Sequence, residues 1–322
     1  MNATRWQYIT LRHPYLFSLL LLVVAIIVNS SLQPNFFEPR VLNGNFRVFL
    51  PLMLLAAGQA VVIIGGGIDI SVGAIVSVVN ALLVTRLGPD STSQEILSVI
   101  LIGLGVGMLA GALNGLFTSY LRLQPIVTTY ATSFLFGGVA LFILPQPGGS
   151  MPSQMTQFYR QTTPLGLPLA VYVIGGLLLL WYLLRATRYG RYLFAVGGQP
   201  DAAYATAVPV SLIKFSTYVI SGLMAAVAAL ALTLNTGAGD PRIGNAMTLS
   251  SITAVVIGGT ALSGGVGGIA GSVIGVAILG MIRNIISFAN VPTWWRTLVD
   301  ASIIVLALAG PGLVALLRRK RA

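Results

Sequence analysis

Apolar runs of membrane length follow one another along nearly the whole chain, with short polar turns between them, and few folds can be built from such a sequence. The runs fall at 15–32, 48–64, 70–87, 96–120, 126–144, 165–184, 214–235, 248–262, 269–287 and 297–317. About 20 apolar residues in helical form cross the hydrocarbon layer of a bilayer. Of the 322 residues, 56% are hydrophobic and 8% charged, against roughly 25% charged in a soluble domain. The expected fold is an all-α polytopic membrane protein of about ten transmembrane helices. It forms one transmembrane domain over 1–322, with no soluble domain of its own. Nine spans remain open if one of the shorter runs is re-entrant. The first run has the apolarity of a secretion signal. It is nonetheless long enough to span and lacks a convincing small-residue cleavage site, so it reads as the first span.

Several function classes are closed by the same inventory. There is no cysteine, which excludes disulfides and thiolate metal sites. The single histidine, His13, sits between Arg12 and Pro14, as a solvated residue beside the membrane would. No HExxH occurs, and no pair of acids stands at helical spacing in an apolar setting. No catalytic residue or metal site is therefore expected, and a membrane-embedded enzyme is disfavoured. GxGxxG patterns arise inside glycine-rich runs without a βαβ context, and no Walker A sequence is present, so the chain is expected to bind no cofactor and to hydrolyse no ATP. The net charge of +11 belongs to loop ends and tails. Without a basic stripe interleaved with aromatics it implies no nucleic acid. Gly103, Gly105, Gly107, Gly111 and Gly115 recur at spacings that suit close helix contact.

The apolar pattern is broken at residues 60–80, AVVIIGGGIDISVGAIVSVVN. Three consecutive glycines weaken a helix by roughly 1 kcal/mol each. The main-chain groups they free must be buried in protein or face a water-filled cavity. Asp69 is the only ionisable residue between Arg47 and Arg86, and a carboxylate in such a setting must be paired or hydrated. A second copy stands at 254–269, AVVIGGTALSGGVGGI, in which Ser263 answers to Ser71, Gly265 to Gly73, and Ala261 to Asp69. Two glycine-broken repeats of this kind are how many transporters build a central path. Close packing of small residues between helices reads the same glycines equally well. Gly66, Asp69, Ser71 and Ser263 are the path candidates on the first reading.

Ten spans put both termini on one side. The N-terminal, 121–124, 185–214 and C-terminal segments together hold 11 of the 18 basic residues. Basic residues concentrate on the cytosolic side, so both termini are expected there. The longest cytosolic segment is then 185–213. Within it Pro200 suits the first position of a helix, Asp201 suits the positive end of its dipole, 202–207 is alanine-rich, and Pro209 stops it. A short, proline-bounded helix on a cytosolic face suits docking to another protein, although an ordinary connection would also fit.

Four stretches resemble the permease subunit of the ribose-type class of bacterial ABC sugar importers, a class whose relatives carry ribose, galactofuranose or autoinducer-2. GGGIDISVG at 65–73 is similar to that family's GGIDLSVG. NGLFTSYLRLQPIVTTYAT, which opens at Asn114, resembles its N-G-L…P-F-I-x-T-L-x-T segment. TRYGRYLFAVGGQPDAAYATAVPV at 187–210 resembles T-R-F-G-R…A-x-G-G-N…A-A…G-I-x-V, and GGTALSGGVGG at 258–268 resembles GGTSLSGG. The resemblance implies the ABC importer permease fold and a place in the bacterial inner membrane. It adds Asn114 to the path candidates. It implies a cytosolic ABC ATPase subunit that holds ATP and Mg, a periplasmic sugar-binding protein, and a second permease, as homodimer or heterodimer. It makes Pro200, Asp201, Ala202, Ala203, Tyr204, Ala205, Thr206, Ala207 and Val208 the coupling helix that docks into the ATPase. The chain departs from the family pattern at Ala207, where glycine is usual, at Pro209, where a polar residue is common, and at Gln199, where asparagine is common. An ATPase-independent channel or uniporter for small polar solutes is the alternative, and it would have no need of a docking helix.

Overall fold

The computed structural model describes residues 15–289 and, beyond them, 292, 295, 298, 301, 302 and 305. Its helices are α1 (Tyr15–Leu32), α2 (Pro39–Ile64), α3 (Val72–Arg86), α4 (Ser93–Gly115, extended by a π turn to Tyr120), α5 (Pro125–Ile143), α6 (Ser153–Gln161), α7 (Leu169–Ala186), α8 (Arg188–Gly198), α9 (Pro200–Ala205), α10 (Val210–Thr236), α11 (Asn245–Ile257) and α12 (Ile269–Phe288). Six of them, α2, α4, α5, α7, α10 and α12, are long and apolar enough to cross a membrane, α1 is an apolar helix of 18 residues, and α3 and α11 are apolar but shorter. The chain is a helical, multi-pass membrane protein. The expected tenth span at 297–317 falls mostly outside the described residues, as do His13 and the basic residues of both tails.

Two helices organise the rest. α2 is buried without interruption from Phe49 to Ile64, as a helix apolar on every side must be in the centre of a bundle. α10 packs against α2, α3 and α4. Its contact with α4 is main chain on main chain. A Cβ on Gly111 would overlap Tyr218 O, and one on Gly222 would overlap Gly107 O. Gly103, Gly107, Gly111 and Gly115 all lie at contacts of α4, whereas nothing approaches Gly105 within 4 Å. α12 closes the other side against α1, α2 and α11.

The helix ends gather on two opposite faces. On one, the C-terminus of α2 meets the 258–268 turn, where Gly265 N–H donates to Ile64 O at 2.9 Å. Gly197, from the 185–213 segment, lies against both. Ser18 Oγ near the start of α1 donates to Ile257 O on the same face. On the opposite face Gly148 and Gly239 pair through two main-chain hydrogen bonds of 2.9 and 3.0 Å. There Arg47 donates to Arg160 O at 2.9 Å, and Arg160 Nε to Asn235 O at 3.1 Å.

Several helix boundaries depart from the sequence expectation for local physical reasons. α2 begins nine residues before 48, because Pro39 presets its first turn. α4 gains a turn through a capping box in which Thr92 and Glu95 exchange side-chain and main-chain hydrogen bonds. The expected outer loop at 145–164 contains the amphipathic α6, whose Thr156 and Tyr159 turn inward. Burial pushes the Tyr159 phenol up to about 12, against the pull of Arg47. Inside 185–213 a whole extra helix, α8, buries Gly190, Leu193, Val196 and Gly197 on one side.

Candidate translocation and coupling site

The two glycine stretches end their helices in the same way. After α2, Gly66 N–H donates to Ile63 O (2.9 Å) and Gly67 N–H to Val62 O (3.0 Å). After α11, Gly259 N–H donates to Val256 O (2.9 Å) and Thr260 N–H to Val255 O (3.1 Å). Gly66 and Gly259 carry φ of +83° and +87°. Both ends therefore close with a left-handed residue and a bond reaching five residues back, the geometry that satisfies the last carbonyls of a helix. Beyond this point the stretches diverge. Ser71 is buried and directly precedes α3, whereas Ser263 is exposed in a turn well ahead of α12. The pairing of Ser71 with Ser263 expected from the sequence is not kept in space, because the second turn is longer.

Between the glycines and α3 lies a buried polar knot. Asp69 Oδ1 accepts from Ser71 N–H (3.0 Å) and Ser71 Oγ (2.7 Å), and its Oδ2 accepts from Ser221 Oγ on α10 (3.1 Å). Asn114 Nδ2 on α4 donates to Ser71 Oγ (2.7 Å), and Asn114 Oδ1 accepts from Thr132 Oγ1 on α5 (2.7 Å). Thr129 Oγ1 on α5 accepts Ile70 N–H at 3.0 Å. Gln59 on α2, with its amide turned to suit its partners, donates to Asp69 O (3.0 Å) and accepts from Asp69 N–H (3.3 Å). Asp69, Ser71, Gln59, Asn114, Thr129 and Ser221 are all fully buried. The knot binds α2, α4, α5 and α10 to one turn, and its partners are hydroxyls, amides and main chain. The structure thus unites three path candidates, Asp69, Ser71 and Asn114, inside the protomer. It leaves Gly66 and Ser263 exposed.

The coupling candidates divide as well. The helix spans Pro200–Ala205, six residues rather than nine. Thr206 N–H closes it onto Ala202 O and Ala203 O, and Ala207 follows with φ +59°. That left-handed angle strains any residue with a Cβ. Ala203 and Val208 are buried against the protein, while Asp201, Ala202, Tyr204 and Ala205 face outward, Tyr204 with 77% of its surface free. Pro209 caps α10, which starts at Val210, four residues before the expected span. α8 has its own start signal in Thr187, an N-cap residue that accepts from Gly190 N–H at 3.3 Å.

A cavity of about 960 Å³ opens between α9, the 121–125 turn and the C-terminus of α2. Gly66, Thr118, Arg122, Tyr204, Lys214 and Tyr218 are among its walls. Ser119, at its edge, is buried and its hydroxyl has no hydrogen-bond partner.

The chain is thus a multi-pass helical bundle in which α2 and α11 both end in glycine-rich turns on one face. The family model for the branched-chain amino acid transport system permease component matches residues 42–308. The chain belongs to that family: it is the permease subunit of an ABC-type importer and is not itself an enzyme. It is 31% identical over 299 residues to the ribose import permease protein RbsC of Escherichia coli (strain K12), covering 90% of this chain and 91% of the relative. Over 271 residues, 80% of this chain and 73% of the relative, it is 35% identical to the fructose import permease protein FrcC of Rhizobium meliloti. The autoinducer 2 import system permease protein LsrD of Photorhabdus temperata is 30% identical over 300 residues, 90% of this chain and 88% of the relative. No solved structure matches the chain.

Proposed function

We propose that this permease forms the path by which a sugar or sugar-like solute, handed over by a periplasmic binding protein, crosses the bacterial inner membrane. A cytosolic ABC ATPase binds ATP and Mg and drives the cycle, and a second permease, identical or different, completes the path. Ten spans place both termini in the cytosol. The observation that carries this reading is similarity across nine-tenths of the chain to permeases named for importing ribose and autoinducer 2, and across four-fifths to one named for fructose. The two halves of the chain, each with a glycine-ended helix on the same face, line the path, with Gly66 and Ser263 exposed towards it. Asp69, Ser71 and Asn114 hold the first break in shape from within. An ATPase-independent channel would have no use for an outward-facing helix at Pro200–Ala205.

The ATPase contact is the outward side of α9. Tyr204 is its single large side chain and its anchor, as buried aromatics commonly are at interfaces. Tyr204→Ala should weaken docking by about 1–3 kcal/mol. The test reconstitutes permease, ATPase and binding protein in proteoliposomes and measures uptake of labelled ribose, fructose and autoinducer 2. Uptake of one of them, strictly dependent on ATP and on the binding protein, is expected. Uptake that continues without ATPase would reject the reading, and so would normal co-purification of the ATPase with Tyr204→Ala.

A further inference from the structure

Three lengths of main chain meet at one point of the 185–213 face with no side chain between them. Ile64 O, the last carbonyl of α2, accepts from Gly265 N–H at 2.9 Å. Gly197 lies directly over that bond. A Cβ there would overlap Ile64 O and stand 2.7 Å from Gly265 N. A Cβ on Gly264 would lie 2.6 Å from Gly197 O and 3.0 Å from Gly66 Cα, and one on Gly265 would lie 2.5 Å from Gly198 Cα. One pair of glycines therefore touches both helix breaks, and it is separated from Pro200, the first residue of α9, by Gln199 alone.

We infer that Gly197 is the positioning residue through which displacement of α9 reaches both helix breaks at once. The inference rests on the reading of α9 as the ATPase contact. Its physical basis is the absence of slack. A contact between side chains can absorb a shift of an ångström by changing rotamer, whereas packed main chain moves with its neighbour or separates from it. α8 supplies the lever that ends at this point. Leu193 and Val196 are buried along it, and Tyr189 Oη shares a 2.8 Å hydrogen bond with Ser216 Oγ of α10. A push on α9 is thus delivered at the end of a helix held along its length, onto the bond that joins the first break to the second. On the other side α9 leads to α10 through Thr206 and Ala207, both exposed.

The asymmetry between the two ends of α9 supplies the experiment. A Gly-Ser insertion between Gly198 and Gln199 slackens the glycine side, and the same insertion between Thr206 and Ala207 slackens the other. Both sites are exposed, the first at the junction of α8 and α9 and the second in the turn after α9, and insertions are best tolerated at exposed positions of this kind. Each variant is assembled with its ATPase, partner permease and binding protein in proteoliposomes, and solute taken up per ATP hydrolysed is measured. The insertion at 198/199 should retain the ATPase on co-purification yet lower that ratio by about tenfold, within the range of coupling between distant sites. The insertion at 206/207 should leave it near the parent value. Equal ratios in the two variants overturn the inference, as does loss of the ATPase from the 198/199 variant. Single substitutions give a second readout. Gly197→Ala should lower the ratio, while Gly198→Ala, whose Cβ would make an ordinary 3.9 Å contact with Gly265 Cα, should not. A Gly197→Ala permease that assembles and couples normally overturns it too. If instead α9 is not the ATPase contact, the failure appears in co-purification of Tyr204→Ala, a different assay.

Discussion

Asp69 is fully buried and held by two serines, Ser71 and Ser221. What it contributes is an acceptor with oxygens pointing two ways, and this predicts an unequal response to substitution. Asp69→Ala would leave the Ser71 N–H and two hydroxyls without their acceptor, at about 1–3 kcal/mol for each buried group left unpaired. Asp69→Asn keeps Oδ1 for Ser71 and can donate to Ser221 Oγ. Thermal unfolding of the purified permease in detergent should therefore fall well below the parent for alanine and stay close to it for asparagine. Equal midpoints would remove the knot as a stabilising feature. Ala207 offers the opposite case. Its φ of +59° carries a penalty of about 1–2 kcal/mol for a residue with a Cβ, so Ala207→Gly should raise the unfolding midpoint, provided the turn keeps its shape.

At the scale of elements, the seam between α4 and α10 is made by glycines that allow the two backbones to touch. Gly111→Ala and Gly222→Ala would each force a methyl group into main chain, and overpacking of this kind costs about 1–3 kcal/mol. Gly105, on the same helix with open space around it, is the internal control. Gly105→Ala should be neutral or stabilise the helix by about 1 kcal/mol. The same detergent melt separates the two classes of glycine, and equal behaviour would mean that the seam is looser than described. α9 needs similar care. Ala203 is 5% exposed, so Ala203→Glu should impair folding and membrane insertion rather than ATPase docking, and its effect on docking alone is uninformative. Substitutions at Asp201, Ala202 or Tyr204 address the outward side.

For the molecule as a whole, the sidedness of the bundle sets which face meets which partner. The chain has no cysteine, so a single introduced thiol reports its location without interference. A cysteine at Thr206, exposed on the 185–213 face, should react with an impermeant reagent only in inverted vesicles. One at Gln94, exposed on the opposite face, should react only in right-side-out preparations. Labelling in the reverse sense would invert the orientation and detach α9 from any cytosolic partner. The solute is set at this scale too. Its choice belongs to the binding protein in the proposed assembly, so the ligand of that protein is the observation that would name it.

Much was legible in the residues alone, for a physical reason. Lipid demands long apolar helices with satisfied backbones, so composition and run length already dictate a multi-pass helical protein. Glycine clusters and prolines are equally direct, since they act on their own stretch of backbone: the end of α2 and the start of α9 follow from Gly65 and Pro200, whereas α11 stops at Ile257 rather than at the expected 262, because Gly258 already closes it. Family motifs lying in order along the chain brought the permease assignment within reach. The depth of Asp69 was not legible, because a lone carboxylate at a break reads alike whether it faces a path or is held by serines and amides from other helices. The inward turn of Ala203 was equally hidden, being decided by α8, whose presence no run of apolar residues announces. Nor could 193–198, read locally, disclose that Gly197 lies across the bond between Ile64 and Gly265. Those residues are more than 60 positions away on either side, and only the packing of α2, α8 and the 258–268 turn brings them to one point.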